Sequence, residues 1–290
     1  MKLHFAYRGA KVLYDFLVSN RIGGTFLLPA NICESVSETF REAGCEIRYV
    51  DIDSDTFCIA ENEVIAQIKN CTGVLAVHTY GTECSFESFF RQVRKIKQDA
   101  VIIDDRCLCW PDFEEQGKQD QVEADLTLFS LGEKKQVQLG EGGVGIVKDK
   151  WLCEHVGVKG NAYFTNELFA LDMEKYFCQK QLAMHHVAKM QTIYQANLPK
   201  EIQLPMAYNN WRFHIRVPQT QKEQILHTLF ANGLFASSHY KSLAENAEQN
   251  TPNAVKLQQE VINLFVDPKF YTEEQAIKTC QIINEIFQAK

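Results

Sequence analysis

The run Phe129-Ser130-Leu131-Gly132-Glu133-Lys134-Lys135-Gln136-Val137-Gln138-Leu139-Gly140-Glu141-Gly142-Gly143 decides how this chain is read. On its N-terminal side, Leu126-Thr127-Leu128-Phe129 is an apolar run of buried-strand length that stops at Ser130. On its C-terminal side, Val144-Gly145-Ile146-Val147 is a second β run. Gly140-Glu141-Gly142-Gly143-Val144-Gly145 also fits the pattern G-x-G-x-x-G of dinucleotide-binding loops. That use needs a strand before the glycines and a helix after them, so that the helix N-terminus meets the pyrophosphate. Here a β run follows, and the nicotinamide reading fails. No G-x-x-x-x-G-K-[ST] motif is present, which leaves a phosphate-loop nucleotide triphosphatase without support.

Outward from this segment, strand-like and helix-like stretches alternate. Thr25–Leu28, Ile47–Val50, Gly73–Val77 and Val101–Ile103 read as buried strands, the last ending at Asp104-Asp105. Between them, Arg8 to Asn20 carries apolar residues at helical spacing (Val12, Leu13, Phe16, Leu17), Glu34 to Ala43 closes at Gly44, and Phe86 to Lys97 is helix-like. Continuous apolar strands separated by helices predict an α/β fold with a mostly parallel sheet covered on both faces. A helical stretch from Asn166 to Tyr194 follows. After Pro199 and Pro205 the pattern changes: Trp211–Val217 alternates as a strand, Glu223–Ala231 reads as a helix, Phe235–Tyr240 as a strand and Glu273–Phe287 as an amphipathic helix. The expected organisation is a large α/β domain over 1–165, a connecting helical segment over 166–198 and a smaller α+β domain over 199–290.

Composition narrows the function. The 290 residues are 46% hydrophobic and 23% charged, ordinary for a folded chain, with a net charge of −7. An acidic chain without a basic stripe is a poor match for nucleic acid or for an anionic membrane. No apolar run reaches the roughly 18 residues of a membrane span, and Met1–Arg8 lacks the apolar core of a secretory signal. A cytoplasmic location is expected, with the ten cysteines as thiols. Cys107-Leu108-Cys109 is too tight for the usual zinc spacing, and no metal is expected.

The polar residues at strand ends suggest the chemistry. In open α/β sheets, ligands bind beyond the carboxyl ends of strands, which would gather Asp104-Asp105, Ser130, Lys135 and the glycine pair at one crevice. A lysine amine can bond to the aldehyde of pyridoxal phosphate, while a carboxylate keeps the pyridine nitrogen protonated and a hydroxyl holds phosphate oxygens. Taken singly, the same residues also fit a helix cap, surface charge and a plain hairpin turn.

A wider resemblance favours the first reading. The segment from Phe129 to Gly143 resembles the lysine segment of the DegT/DnrJ/StrS family, pyridoxal phosphate-dependent aminotransferases that act on nucleotide-linked keto sugars. Val101-Ile102-Ile103-Asp104-Asp105 is similar to the family strand whose second acid meets the pyridine nitrogen. Other stretches keep the family order: Leu28-Pro29-Ala30-Asn31, Tyr49-Val50-Asp51-Ile52-Asp53, Val77-His78-Thr79-Tyr80-Gly81, Gly233 through His239-Tyr240, and Asn263 through Pro268. The resemblance implies an aspartate-aminotransferase-like fold (fold type I) and a homodimer. It implies Lys135 as the cofactor-bonding lysine, Asp105 as the ring acid, and Ser130, Gly9, Ala10 and Cys33 as further cofactor contacts. His78, His239 and Tyr240 are implied as substrate-side groups.

Some positions depart from the family. Arg8-Gly9-Ala10 stands where the family has Ser-Gly-Thr, almost at the start of the chain; Leu108 replaces a glutamine, and Cys33 a stacking aromatic. Ala162 and Phe164 replace the polar residues of a Gly-x-Asn-x-Arg motif, with Asn161 one position away. These losses weaken the expected hold on the cofactor. The implied function is transfer of an amino group, with glutamate as the expected donor, to a nucleotide-linked keto sugar in amino-sugar or surface-polysaccharide biosynthesis. Two other readings stay open: a sugar dehydratase using the same cofactor, against which Lys135 speaks, and a non-catalytic dimeric scaffold.

Overall fold

A computed structural model describes residues 1–113, 123–156, 171–244 and 249–288. The apolar runs become strands β1 (Lys2–Ala6), β2 (Gly24–Pro29), β3 (Cys45–Val50), β4 (Gly73–Val77), β5 (Val101–Asp105), β6 (Leu126–Ser130) and β7 (Gly143–Val147). They form one seven-stranded sheet in the order β1-β7-β6-β5-β4-β2-β3. β3, β2, β4, β5 and β6 run parallel, whereas β7 is antiparallel to β6 and β1 antiparallel to β7. The expected mostly parallel sheet is present, with the antiparallel pairing confined to β7 and its neighbours at one edge.

Both faces are covered, which explains why the strands read as continuous apolar runs. Adjacent strand residues point to opposite faces. Phe26, Leu28, Leu75, Ile103, Leu126 and Leu128 share one core with Val12, Leu13, Phe16 and Leu17 of helix α1 (Gly9–Ser19) and Phe40 of α2 (Glu34–Glu42). Their neighbours Leu27, Val74, Ala76 and Ile102 pack on the other face. They meet Val64 of α3 (Glu61–Gln67) and Phe89, Phe90 and Val93 of α4 (Glu87–Ile96).

β1 was not expected from the sequence. It has only five residues, and one of its inward positions is taken by the polar His4, whose ring nitrogen lies 2.9 Å from the buried Asp15 carboxylate.

The second half builds a smaller three-stranded antiparallel sheet. Its strands are β8 (Phe213–Arg216), β9 (Ala236–Ser237) and β10 (Val261–Leu264), in the order β8-β10-β9. Helices α5 (Met173–Asn197), α6 (Gln219–Ala231), α7 (Pro252–Glu260) and α8 (Glu273–Gln288) accompany it. Met190, Tyr194, Phe213, Ile215, Leu229 and Ile283 sit in its core. Helix α5 starts at Met173, where the Asp172 side chain caps it by accepting the Lys175 N–H at 3.0 Å, and positions 166–170 of the expected helical stretch lie outside the described residues. The strand expected over Phe235–Tyr240 is reduced to Ala236–Ser237, and α7 and the central strand β10 were not anticipated as elements. Among the described residues no helix is long and apolar enough to cross a membrane.

Candidate active site

The parallel strands β4, β5 and β6 end along one edge of the sheet, beside the start of α1. β5 ends in two consecutive acids, and the period of two sends them to opposite faces. Asp105 lines a cavity of about 570 Å³ together with Lys135, Ser130 and Gly9. Its carboxylate is buried and accepts the backbone N–H of Cys107 at 2.9 Å. Burial raises its pKa above the usual carboxylate value, with that N–H and the Lys135 charge pulling the other way. Ala10, Cys33, Leu108 and Tyr240 border the same cavity. Strand ends, loops and a helix start that are far apart in sequence are thereby brought to one place.

Two of the expected residues are not brought to it. His78 follows β4 onto the Asp104 face. Its Nε2 lies 2.9 Å from Asp104, its Nδ1 lies 2.9 Å from the Thr82 carbonyl, and Arg106 Nε donates to the other Asp104 oxygen at 2.7 Å. Burial alone would lower the imidazole pKa, but the Asp104 carboxylate more than reverses this and raises it to about 9. His78 is thus a buried cation tied to Asp104. His239 lies beside Trp211 and Tyr240, at ring-centroid distances of 5.9 and 5.2 Å, but does not border the cavity. Partial burial and the cations Arg212, Lys134 and Lys135 lower its pKa to about 4, so the ring is neutral at pH 7.

The Glu-Gly-Gly turn has a structural purpose. Gly142 adopts φ +133°, a left-handed region that favours glycine. A Cβ on Gly143 would stand 2.3 Å from the Arg8 carbonyl carbon and 2.4 Å from the Gly9 nitrogen. Gly142 also donates its N–H to the Tyr7 carbonyl at 2.6 Å and accepts that of Leu131 at 2.8 Å. The glycines of the apparent dinucleotide motif therefore let β7 press against the start of α1. Gly143→Ala is expected to force these backbones apart, at a cost of about 1–3 kcal/mol, and to weaken pyridoxal phosphate binding. Thermal melting and a cofactor titration check this, and wild-type values in both would contradict it.

Sequence reasoning missed the groups that hold the lysine loop. Trp211 Nε1 donates to the Lys134 carbonyl at 2.9 Å, and its ring lies nearly parallel to Tyr240 at 13°. The Gln136 amide donates to the carbonyls of Leu108 and Asn210. Trp211 read only as the start of a strand; the available signal was that a buried tryptophan needs an acceptor for its N–H. Trp211→Phe keeps most of the ring packing and loses that bond. A stability loss of about 1 kcal/mol is expected in denaturant unfolding, and an unchanged midpoint would show that the bond contributes nothing.

The donor set fits pyridoxal phosphate. An amine and a carboxylate border one cavity, Ser130 supplies a hydroxyl, and the first turn of α1 offers N–H groups of the kind that bind phosphate. Ala10 and Leu108 add neither hydroxyl nor amide, so the side-chain hold is thinner than the family pattern implies. Asn161, Ala162 and Phe164 lie outside the described residues.

A large, mostly parallel sheet with this site at its strand ends, joined to a small α+β sheet, is the architecture of the fold type I pyridoxal phosphate enzymes. The DegT/DnrJ/EryC1/StrS aminotransferase family matches residues 17–168, and the chain belongs to that family of enzymes. It is 24% identical over 274 residues to GDP-perosamine synthase of Escherichia coli O157:H7, covering 83% of this chain and 73% of that one. The fold is similar to that of the putative sugar aminotransferase Spr1654 from Streptococcus pneumoniae in its PMP-form. There the TM-score is 0.77 at 16% identity, over 99% of this chain and 88% of the other. DesI in the presence of its TDP-sugar product is similar with a TM-score of 0.75 at 16% identity, over 98% and 80% of the two chains.

Proposed function

We propose that this enzyme uses pyridoxal phosphate to move an amino group from glutamate, or a similar donor, onto a keto sugar carried by a nucleotide. The observation that carries the proposal is the shared cavity of Lys135 and Asp105, with Ser130 and the start of α1 at its border. The sugar and the carrier rest on the relatives: one is named for GDP-perosamine and another was crystallised with a TDP-sugar.

When bound, pyridoxal phosphate supplies an aldehyde and an electron-withdrawing ring, which allow an amine to leave one carbon and join another. Lys135 Nζ is the group that bonds to the cofactor. In the first half-reaction it takes the proton from the donor α-carbon, and in the second it delivers one to the sugar carbon. Asp105 would pair with the ring nitrogen and help keep a proton on it. Ser130 and the first turn of α1, at Gly9 and Ala10, would hold the phosphate, and Cys33 would supply the side chain next to the ring. Tyr240 borders the substrate side. The division at 1–165, 166–198 and 199–290, a cytoplasmic homodimer and a role in amino-sugar or surface-polysaccharide synthesis belong to the same proposal.

The test is amino transfer itself. Purified protein loaded with pyridoxal phosphate is given glutamate and a panel of GDP- and TDP-linked keto sugars, and 2-oxoglutarate is measured. Glutamate alone should yield at most one equivalent of 2-oxoglutarate per enzyme, and formation beyond that only with a nucleotide-linked keto sugar present supports the reading. Turnover with free keto sugars alone would overturn the nucleotide assignment, and no turnover with glutamate would overturn the donor.

A further inference from the structure

On the sheet face opposite the cofactor cavity, where Asp104 points, two cysteines and a histidine meet. Cys84 Sγ lies 3.6 Å from Cys58 Sγ and 4.0 Å from His78 Nδ1. Cys84 is partly exposed, in the segment between Gly81 and α4, and it borders a cleft with His78, Asp104, Arg106 and Asn210. Cys58 is buried just before α3. Its carbonyl accepts the Asp53 N–H at 2.9 Å, and Thr79 Oγ1 donates to the adjacent Phe57 carbonyl at 2.9 Å. The edge of Phe86 lies against the His78 ring at 4.8 Å, so both the histidine and the inner sulfur are held in position.

We propose that Cys84 is an oxidation site for hydroperoxides and that Cys58 resolves the oxidised sulfur into a Cys58–Cys84 disulfide.

Three features of the cluster support the assignment. First, the two sulfurs need approach by only about 1.5 Å to reach the bonded distance of roughly 2.05 Å. Second, one sulfur is open to a cleft while the other is enclosed, as an attacking and a resolving thiol require. Third, the surroundings favour the thiolate at the exposed sulfur. The hydrogen bond from Cys58 and the His78 cation lower the Cys84 pKa to about 5 despite burial and the opposing charge of Asp104. The same bond, with burial, raises Cys58 well above the usual thiol value. The acid on the α3 side is Glu61, whose own pKa is raised by burial and by Cys84. Elsewhere burial raises the thiols of Cys45, Cys71, Cys107, Cys109, Cys153 and Cys280.

The chemistry balances with a hydroperoxide as the two-electron oxidant. The Cys84 sulfur attacks one peroxide oxygen, an S–O bond forms, the O–O bond breaks, and the leaving alkoxide or hydroxide takes a proton from water. The Cys58 sulfur then attacks Cys84, an S–S bond forms, the S–O bond breaks, and hydroxide leaves as water with the Cys58 proton.

The full chain treated with equimolar hydrogen peroxide, alkylated and digested without reductant provides the test. The expected first product is a cross-linked pair of peptides containing Cys58 and Cys84. In Cys58→Ser, dimedone is expected to label Cys84 instead. Iodoacetamide labelling of Cys84 in the untreated protein should change less than about threefold between pH 8 and pH 6, whereas an ordinary thiol of pKa near 8.5 slows roughly 75-fold. Oxidation of Cys33 or Cys178 while the pair stays reduced, or an ordinary pH profile at Cys84, would overturn the proposal even if the serine variant failed to fold.

Discussion

Lys135→Ala is expected to lower amino transfer by roughly 10²–10⁴-fold, the usual contribution of a positioned acid–base group. The loss should be larger in kcat than in KM, because the amine acts on the proton that moves during the reaction. Lys134→Ala is the informative control. Lys134 is the adjacent lysine and has a left-handed backbone at φ +61°, but its side chain does not border the cavity, and its carbonyl is taken by Trp211. It should retain activity within a few fold. If Lys134→Ala is the inactive variant and Lys135→Ala the active one, the count from Phe129 to the reacting lysine is wrong.

Asp105→Asn should reduce turnover by a comparable factor, roughly 10²–10⁴-fold, while the cofactor-free protein melts no lower than wild type. The two effects have one cause. Burial raises the Asp105 pKa above its unfolded value. A carboxyl with a raised folded pKa costs stability in its ionised form, and that cost develops as pH rises from the unfolded value through the folded one. Asparagine cannot ionise and so removes this cost while keeping the size. What asparagine cannot do is oppose a cationic ring nitrogen. Turnover near the wild-type value, or a clear fall in the melting temperature of the cofactor-free protein, would show that Asp105 is a structural acid.

The sheet was readable because its strands are buried on both faces, so each shows as an unbroken apolar run bounded by turns. The lysine segment between two such strands was singled out by the resemblance of Phe129 to Gly143 to the family's lysine segment, since its residues taken singly also fit a plain surface turn. What could not be read depended on contacts made across the fold. β1 exists because β7 offers it a pairing edge, and the five-residue run alone carries no such information. The central small strand β10 is short and follows α7 without a break, so its pairing with β8 and β9 defines it. His78 entered as an expected substrate-side group through the resemblance of Val77-His78-Thr79-Tyr80-Gly81 to the family. Which face it joins was settled by Asp104 and Arg106, which pair with each other on the side away from Asp105. The thinning of the cofactor hold at Ala10, Cys33 and Leu108 was readable residue by residue, and all three border the cavity.

The central claim is that one amine and one carboxylate serve one bound cofactor. Its most direct measurement is borohydride reduction of the protein after incubation with pyridoxal phosphate, followed by peptide mapping. The account predicts a single reduced pyridoxyl group on Lys135, formed in wild type and absent from Lys135→Ala. A label on Lys134, a label scattered over surface lysines, or no label at saturating cofactor would contradict it.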